Sequence, residues 1–228
     1  MKTKSDFDKE KQLAAKEAVK LIRDNMIVGL GTGSTAYYAI IEIGERIKEG
    51  LKIKAVATSK ETERLAVSLN IELIDIKNID VIDITIDGAD EFNSDLIMIK
   101  GGGGALFREK IVLSLTRKKI IISDSSKKVE ILGKFKVPIE AVPFASSYVM
   151  KQITIAGGSS KLRMKEGREF LTDQGNYIID ADFGPINDPE TLAMTLNNIE
   201  GVLAHGLFIG LVDQIIMGHG DTTKIFEK

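Results

Sequence analysis

The chain contains no cysteine. That excludes a disulfide, a thiolate zinc site, an iron–sulfur cluster and a cysteine nucleophile. Histidine is nearly as scarce. His205 and His219 are too few for a three-histidine catalytic zinc, and no HExxH occurs. Net charge is also small: 31 Lys and Arg against 33 Asp and Glu leave 31 − 33 = −2, with no electrostatic footprint for nucleic acid or an anionic membrane surface. Long apolar runs are missing as well. The opening MKTKSDFDKEKQ is charged and lacks the apolar region of a signal peptide. The most apolar stretch, 201–218, is broken by His205, Asp213 and Gln214 short of a membrane span. A soluble, cytoplasmic protein is the expectation.

What is present is ordinary in amount but uneven in placement. The 228 residues correspond to about one and a half domain lengths. A chain of this size buries roughly 70% of the surface its unfolded form exposes and needs no covalent staple. Of 21 glycines, seven lie in two short clusters, Gly29 to Gly33 and Gly101 to Gly104.

Apolar spacing predicts a helix over 7–24, a strand at 26–30 and a second helix from Ser34 to a Gly50 cap. Lys52 to Ala57 reads as a strand, and Thr58 with Glu61 as a capping box for a helix reaching Asn70. Further strands are expected at 71–74, 81–86, 96–99 and 119–123, with a helix over 105–118. Short Ile- and Val-rich strands alternating with helices argue for an α/β fold, a mostly parallel sheet with helices on both faces. Beyond Lys128 the rhythm changes, and all four prolines lie there. Strands at 161–171 and 176–182 flank a Thr172 to Gly175 turn, and 146–156 and 188–199 look helical, which suggests a smaller α+β unit. Residues 207–217 return to an apolar run that could rejoin the first sheet. The division expected is 1–132 with 207–228, and an inserted 133–206.

Three segments carry chemistry. Gly29-Leu-Gly-Thr-Gly-Ser-Thr35 stands between a strand and a helix, where backbone N–H groups and the helix dipole favour an anion. A dinucleotide fingerprint would need glycine at Ser34 and an acid near the end of the second strand, and residues 52–59 contain none. A monophosphate suits the loop better; a plain turn with a helix cap is the alternative. Asp87-Gly-Ala-Asp-Glu91 follows an apolar strand, at the carboxyl end where open sheets bind ligands. An Asx turn, or a magnesium site sharing a substrate phosphate, would use the same residues. Lys100 and four glycines precede Glu109 on the next helix. Such a run is entropically costly to order unless the backbone must bend or meet a ligand. Solvated termini are the bland readings of Lys100, of Glu109 and of Lys127, which follows another strand. The two histidines sit among glycines in expected turns and receive no role.

The order GLGTGST, TSKETERLA, DGADE, KGGGGALFREK and SDSSKKVEILGKF, continuing through LTDQGNYIID, IEGVLAHGLF and VDQIIMG, resembles type A ribose-5-phosphate isomerase over essentially the whole chain. The resemblance implies a Rossmann-like domain with a ferredoxin-like α+β domain inserted before the last strands. It implies interconversion of D-ribose 5-phosphate and D-ribulose 5-phosphate in the non-oxidative pentose phosphate branch, without metal or organic cofactor, by a homodimer or homotetramer. By motif, substrate binding falls to Thr32, Gly33, Ser34 and Thr35; to Asp87, Gly88, Ala89 and Asp90; and to Lys100, Gly101, Gly102, Gly103 and Lys127. Glu109 matches the proton acceptor, with Lys100 to stabilise charge developing on oxygen, Asp87 to assist ring opening and Asp90 to orient or shuttle a hydroxyl proton. Phe107 departs from the small hydroxyl residue many members carry there. A non-catalytic sugar-phosphate sensor, and an amino-sugar phosphate deaminase or CoA-transferase-like enzyme, are the rival readings.

Overall fold

The structure, a computed structural model, describes residues 2–227. It divides into two compact units. The first holds Met1–Ala89, Arg108–Lys128 and Gly210–Lys228, and the second Asp90–Phe107 and Val129–Ile209. The second unit thus takes in 90–107, 129–132 and 207–209 beyond the 133–206 segment expected, because the short strands on either side of that segment pair with one another.

The chain begins with α1 (Lys4–Val19), β1 (Ile27–Leu30), α2 (Ser34–Lys48), β2 (Lys54–Ala57), α3 (Lys60–Ser68) and β3 (Ile82–Gly88). It passes through β4 (Glu91–Phe92) and β5 (Met98–Ile99) of the second unit and returns by α4 (Leu106–Ser114) to β6 (Thr116–Ser123). The second unit continues with β7 (Val137–Ala141), α5 (Ser146–Ile155), β8 (Ser159–Leu162), β9 (Met164–Lys165), β10 (Arg168–Glu169), β11 (Tyr177–Asp182), α6 (Pro189–Asn197), β12 (Val202–His205) and β13 (Leu207–Phe208). Strands β14 (Gln214–His219) and β15 (Thr222–Glu227) end the chain in the first unit.

In the first unit one sheet runs β15–β14–β6–β3–β1–β2. Five strands are parallel, and only the edge strand β15 is antiparallel. Alternate residues Val28, Leu30, Ile84, Ile86, Ile120, Ile122 and Ile216 form one face, covered by Ala14, Ala18 and Val19 of α1 and Ala39, Ile40 and Ile43 of α2. The other face includes Gly29, whose place beside Val112 brings α4 close. Helices therefore cover both faces. Strand order reverses between β1 and β3, the switch point at which such sheets bind ligands beyond their carboxyl ends.

In the second unit, β7–α5–β8–β11–α6–β12 forms an antiparallel sheet ordered β12–β7–β11–β8. This is the split βαβ arrangement of a ferredoxin-like unit. Val149 and Ile153 of α5 and Ala193 and Leu196 of α6 pack on Ile139, Ala141, Ile179 and Ala181. A smaller sheet, β13–β5–β4, accompanies it.

Several elements differ from sequence expectation. Helix α1 starts at Lys4 because Thr3 and Asp6 form a capping box, and it stops at Val19, where Leu21 and Ile22 turn back onto Ala18 and Val19. Ser59, not Thr58, caps α3, accepting from the Thr62 N–H. The strand expected at 71–74 is reduced to a bridge between Leu73 and Ala55. Helix α4 ends at Ser114 because Thr116 to Lys118 pair with β3. The strand expected over 161–171 is broken into β8, β9 and β10. Of 207–217, only the part from Gln214 joins the first sheet, while Leu207 and Phe208 pair with β5. His205 ends a strand, buried, rather than lying in a turn.

Candidate active site

The first unit builds a cradle at its switch point. After Leu30 the chain turns through Gly31, whose N–H donates to Ile86 O at 3.0 Å, while the Thr32 N–H donates to Asp87 Oδ1 at 3.1 Å. A Cβ on Gly31 would stand 2.5 Å from the Asp87 Cα, so only glycine allows the ends of β1 and β3 to approach this closely. Gly33 occupies the N-cap of α2 with φ +111° and supplies no side-chain cap. The N–H groups of the first turn, from Ser34 onward, have no intrahelical acceptor and face an anion's natural position at a positive dipole end. Beside them a cavity of about 370 Å³ is lined by Gly31, Thr32, Gly33, Ser34, Tyr37, Tyr38, Ile40, Glu61, Thr62 and Leu65.

The Thr32 hydroxyl lies 2.7 Å from that of Thr58, 2.9 Å from Ser59 Oγ and 3.2 Å from that of Thr62. The Thr62 hydroxyl in turn donates to Gly31 O, and that of Thr58 to Leu30 O. This cluster joins Thr32 of the glycine loop to Thr58, Ser59 and Thr62 of the TSKETERLA segment and locks the loop in place. Thr32 therefore serves the cradle with its backbone, while Ser34 is exposed and Thr35 buried.

Asp87, the penultimate residue of β3, is fully buried, and its Oδ1 also accepts from the Gly88 N–H at 2.7 Å. Glu109 lies in the first turn of α4 and is only 3% exposed, so it is not the solvated acid that a first-turn position ordinarily holds. Burial holds the neighbouring Lys110 ammonium down at about 8. Lys127 is half-buried in the loop after β6, its N–H donating to Asp124 O. That loop is anchored by Glu10 of α1, which accepts from the Ser125 N–H at 2.9 Å, the Ser125 hydroxyl at 2.7 Å, the Gly220 N–H at 2.7 Å and Lys2 Nζ. Burial acts to raise the Glu10 pKa, but these donors outweigh it and hold the carboxyl at about 2.

In the second unit, Lys100 is 2% exposed rather than a solvated strand end. Its N–H donates to Gly206 O, and its ammonium lies 5.6 Å from the Phe208 ring centre. Gly101 and Gly104 adopt φ +99° and +79°, a tight turn closed by the Gly104 N–H on Gly101 O. Asp90 Oδ2 accepts from the Gly102 N–H at 2.7 Å, and Arg163 donates to the carbonyls of Gly101 and Gly102. Glu140 of β7 is buried, its Oε1 accepting from Thr172 and Asn176 of the hairpin turn; burial pushes its carboxyl up. Among the described residues, no group of three or more His, Asp or Glu forms a metal-binding cluster, and no helix is long and apolar enough to cross a membrane.

The family model of ribose 5-phosphate isomerase A (phosphoriboisomerase A) matches residues 54–222. The chain belongs to the ribose 5-phosphate isomerase A family. It is 49% identical over 221 residues to the ribose-5-phosphate isomerase A of Sphingopyxis alaskensis, covering 97% of each chain. It is 51% identical over 209 residues to that of Bacillus mycoides, covering 91% of this chain and 95% of the relative. A solved D-ribose-5-phosphate isomerase in complex with phospho-erythronic acid superposes with a TM-score of 0.94 at 39% identity, over 97% of this chain and 99% of that one.

Proposed function

We propose that the residues described above act on one substrate, interconverting D-ribose 5-phosphate and D-ribulose 5-phosphate, the reaction of the family to which the chain belongs. The observation that carries the assignment is the burial of Glu109, an acid kept from water in the first turn of a helix. Burying an ionisable group is costly, and proteins concentrate such groups where chemistry needs them.

The substrate is mostly cyclic, so the ring must open first. Asp87, at the carboxyl end of β3, exchanges the proton between the anomeric hydroxyl and the ring oxygen. In the open aldose Glu109 takes the proton from C2, giving an enediolate, and returns it to C1 to give the ketose. The Lys100 ammonium stabilises the charge that develops on oxygen, and Asp90 moves the hydroxyl proton from O2 to O1. The phosphate rests on the N–H groups of 33–35 at the start of α2, with Lys127, and supplies binding energy remote from the reacting carbons. We place the enzyme in the cytoplasm, as a homodimer or homotetramer.

The test is conversion of ribose 5-phosphate with solvent-deuterium incorporation. Glu109→Gln should bind substrate yet turn over roughly 10²- to 10⁴-fold more slowly, the usual range for loss of a general base. Phospho-erythronic acid should compete with substrate in both proteins. Undiminished deuterium exchange in the variant would remove Glu109 from the proton transfer, and a wild-type protein that fails to form ribulose 5-phosphate would remove the function.

A further inference from the structure

Arg163, in the bend between β8 and β9, belongs to none of the motifs that point to the site. Its guanidinium nevertheless uses four of its five N–H groups in two opposed directions. Nε donates to Asp180 Oδ2 at 2.9 Å and Nη2 to Asp180 Oδ1. Nη1 donates to Gly101 O at 3.1 Å and Gly102 O at 2.9 Å. The fork is thus held by a carboxylate on β11 and in turn holds two successive carbonyls of the glycine run. Phe170 completes the support. Its ring centre lies 5.8 Å from the guanidinium, its N–H donates to Arg163 O, and its ring packs where a Cβ on Gly104 would otherwise stand.

Four successive glycines have more backbone freedom to lose than any other residues, so a turn made of them is ordered only by what grips it. Here the N–H of Gly102 is gripped by Asp90 and the carbonyls by Arg163. Only a rigid planar fork reaches a bidentate carboxylate and two carbonyls at once; a lysine would supply the charge without the geometry. Arg163 is half-buried and is not among the apolar side chains that build the core of its unit.

We propose that Arg163, braced by Asp180, is a positioning residue for the isomerisation. It fixes the 101–104 turn so that Lys100 and Asp90 meet the substrate in reacting geometry. The proposal rests on the reading that this turn lines the sugar site. Misplacing a reacting group by about 1 Å can cost 10²-fold in rate, and that sets the scale of the effect.

The experiment compares wild type, Arg163→Ala, Arg163→Lys and Asp180→Asn by steady-state kinetics on ribose 5-phosphate, thermal unfolding, and amide hydrogen exchange of 101–105 without substrate. Arg163→Ala should lose roughly 10- to 100-fold in kcat with a smaller rise in KM. Exchange in the turn should rise about tenfold or more while the global melting transition is largely kept. Arg163→Lys should recover little of either, and Asp180→Asn should move both the same way by less. Wild-type exchange and kcat in Arg163→Ala would overturn the proposal, as would full activity in Arg163→Lys or a loss of activity no greater than the loss of folded protein. The exchange arm uses no substrate. A wild type without isomerase activity would therefore refute the functional reading, while unaltered exchange would refute the pinning itself.

Discussion

Replacing Glu10 by glutamine removes one charge from a buried side chain that is 1% exposed and lies far along the chain from every residue assigned a chemical role. Its carboxyl titrates at about 2 in the folded protein against an ordinary 4.5. Burial opposes the charge, and the N–H of Gly220, the Lys2 ammonium and Ser125 more than offset it. A depression of roughly 2.5 units at 1.36 kcal/mol each corresponds to about 3 kcal/mol favouring the folded state. Because the folded pKa lies below the unfolded one, that contribution is complete above about 4.5 and is lost as the pH falls through about 2. Denaturant unfolding of wild type and Glu10→Gln at a series of pH values measures it, since titrating groups that do not interact with Glu10 cancel in the difference. The difference should be about 3 kcal/mol from neutral pH down to about pH 5, then shrink steadily on further acidification. A difference that stays constant across the acid range would mean that the donors recognise the shape of the side chain and not its charge. The same donors join α1 to the loop that carries Lys127, so the variant should also raise KM for the sugar phosphate several-fold. Unchanged KM beside a full stability loss would detach Lys127 from phosphate binding.

Gly31→Ala should abolish measurable turnover and cost about 1–3 kcal/mol, because its Cβ would stand 2.2 Å from Asp87 Oδ1 and 2.5 Å from the Asp87 Cα. Gly50→Ala is the matched control: with φ +109° but open space around it, it should cost about 1–2 kcal/mol and leave kcat untouched. Glu140 titrates above its ordinary value because it is buried, so its contribution is fully present below about 4.5 and is lost as the pH rises through the folded value. Glu140→Gln should accordingly gain stability relative to wild type as the pH is raised, read by urea unfolding; a relative loss on raising the pH would refute the burial argument.

How far each feature was legible in the sequence follows from whether its cause is local. Helix α2 runs from Ser34 to the Gly50 turn as its pattern predicts, because a glycine-rich start and a glycine stop are set within the segment itself. Leu21 and Ile22 continue the apolar spacing of α1 and Ile22 is buried, yet neither is helical. Periodicity reports which side chains seek the core, and a turn can deliver them as well as a helix. Thr116 to Lys118 read as the tail of α4 and instead pair with Ile82 and Ile84, more than thirty residues away, a choice that no local propensity encodes.

The site divides on the same line. Asp87, Lys100 and Glu109 of the proposed site were singled out because they stand at strand ends and beside glycines, where a backbone can meet a ligand, and because the family motifs contain them. The residues that hold the loops in place, Glu10, Glu140 and Arg163, act across 115, 32 and 61 positions of sequence and belong to no motif. Two of them still left a trace. Glu10 shares the stripe of Ala14 and Ala18, and Glu140 interrupts the apolar run of β7. A charge on a face bound for the interior must find donors there or destabilise the fold, so its presence in an apolar pattern implies partners elsewhere in the chain. Arg163 sits in a polar stretch whose flanking strand β9 is exposed, where a charge needs no explanation. Its partners, two glycine carbonyls and a carboxylate, become evident only once the turn and the hairpin are seen together.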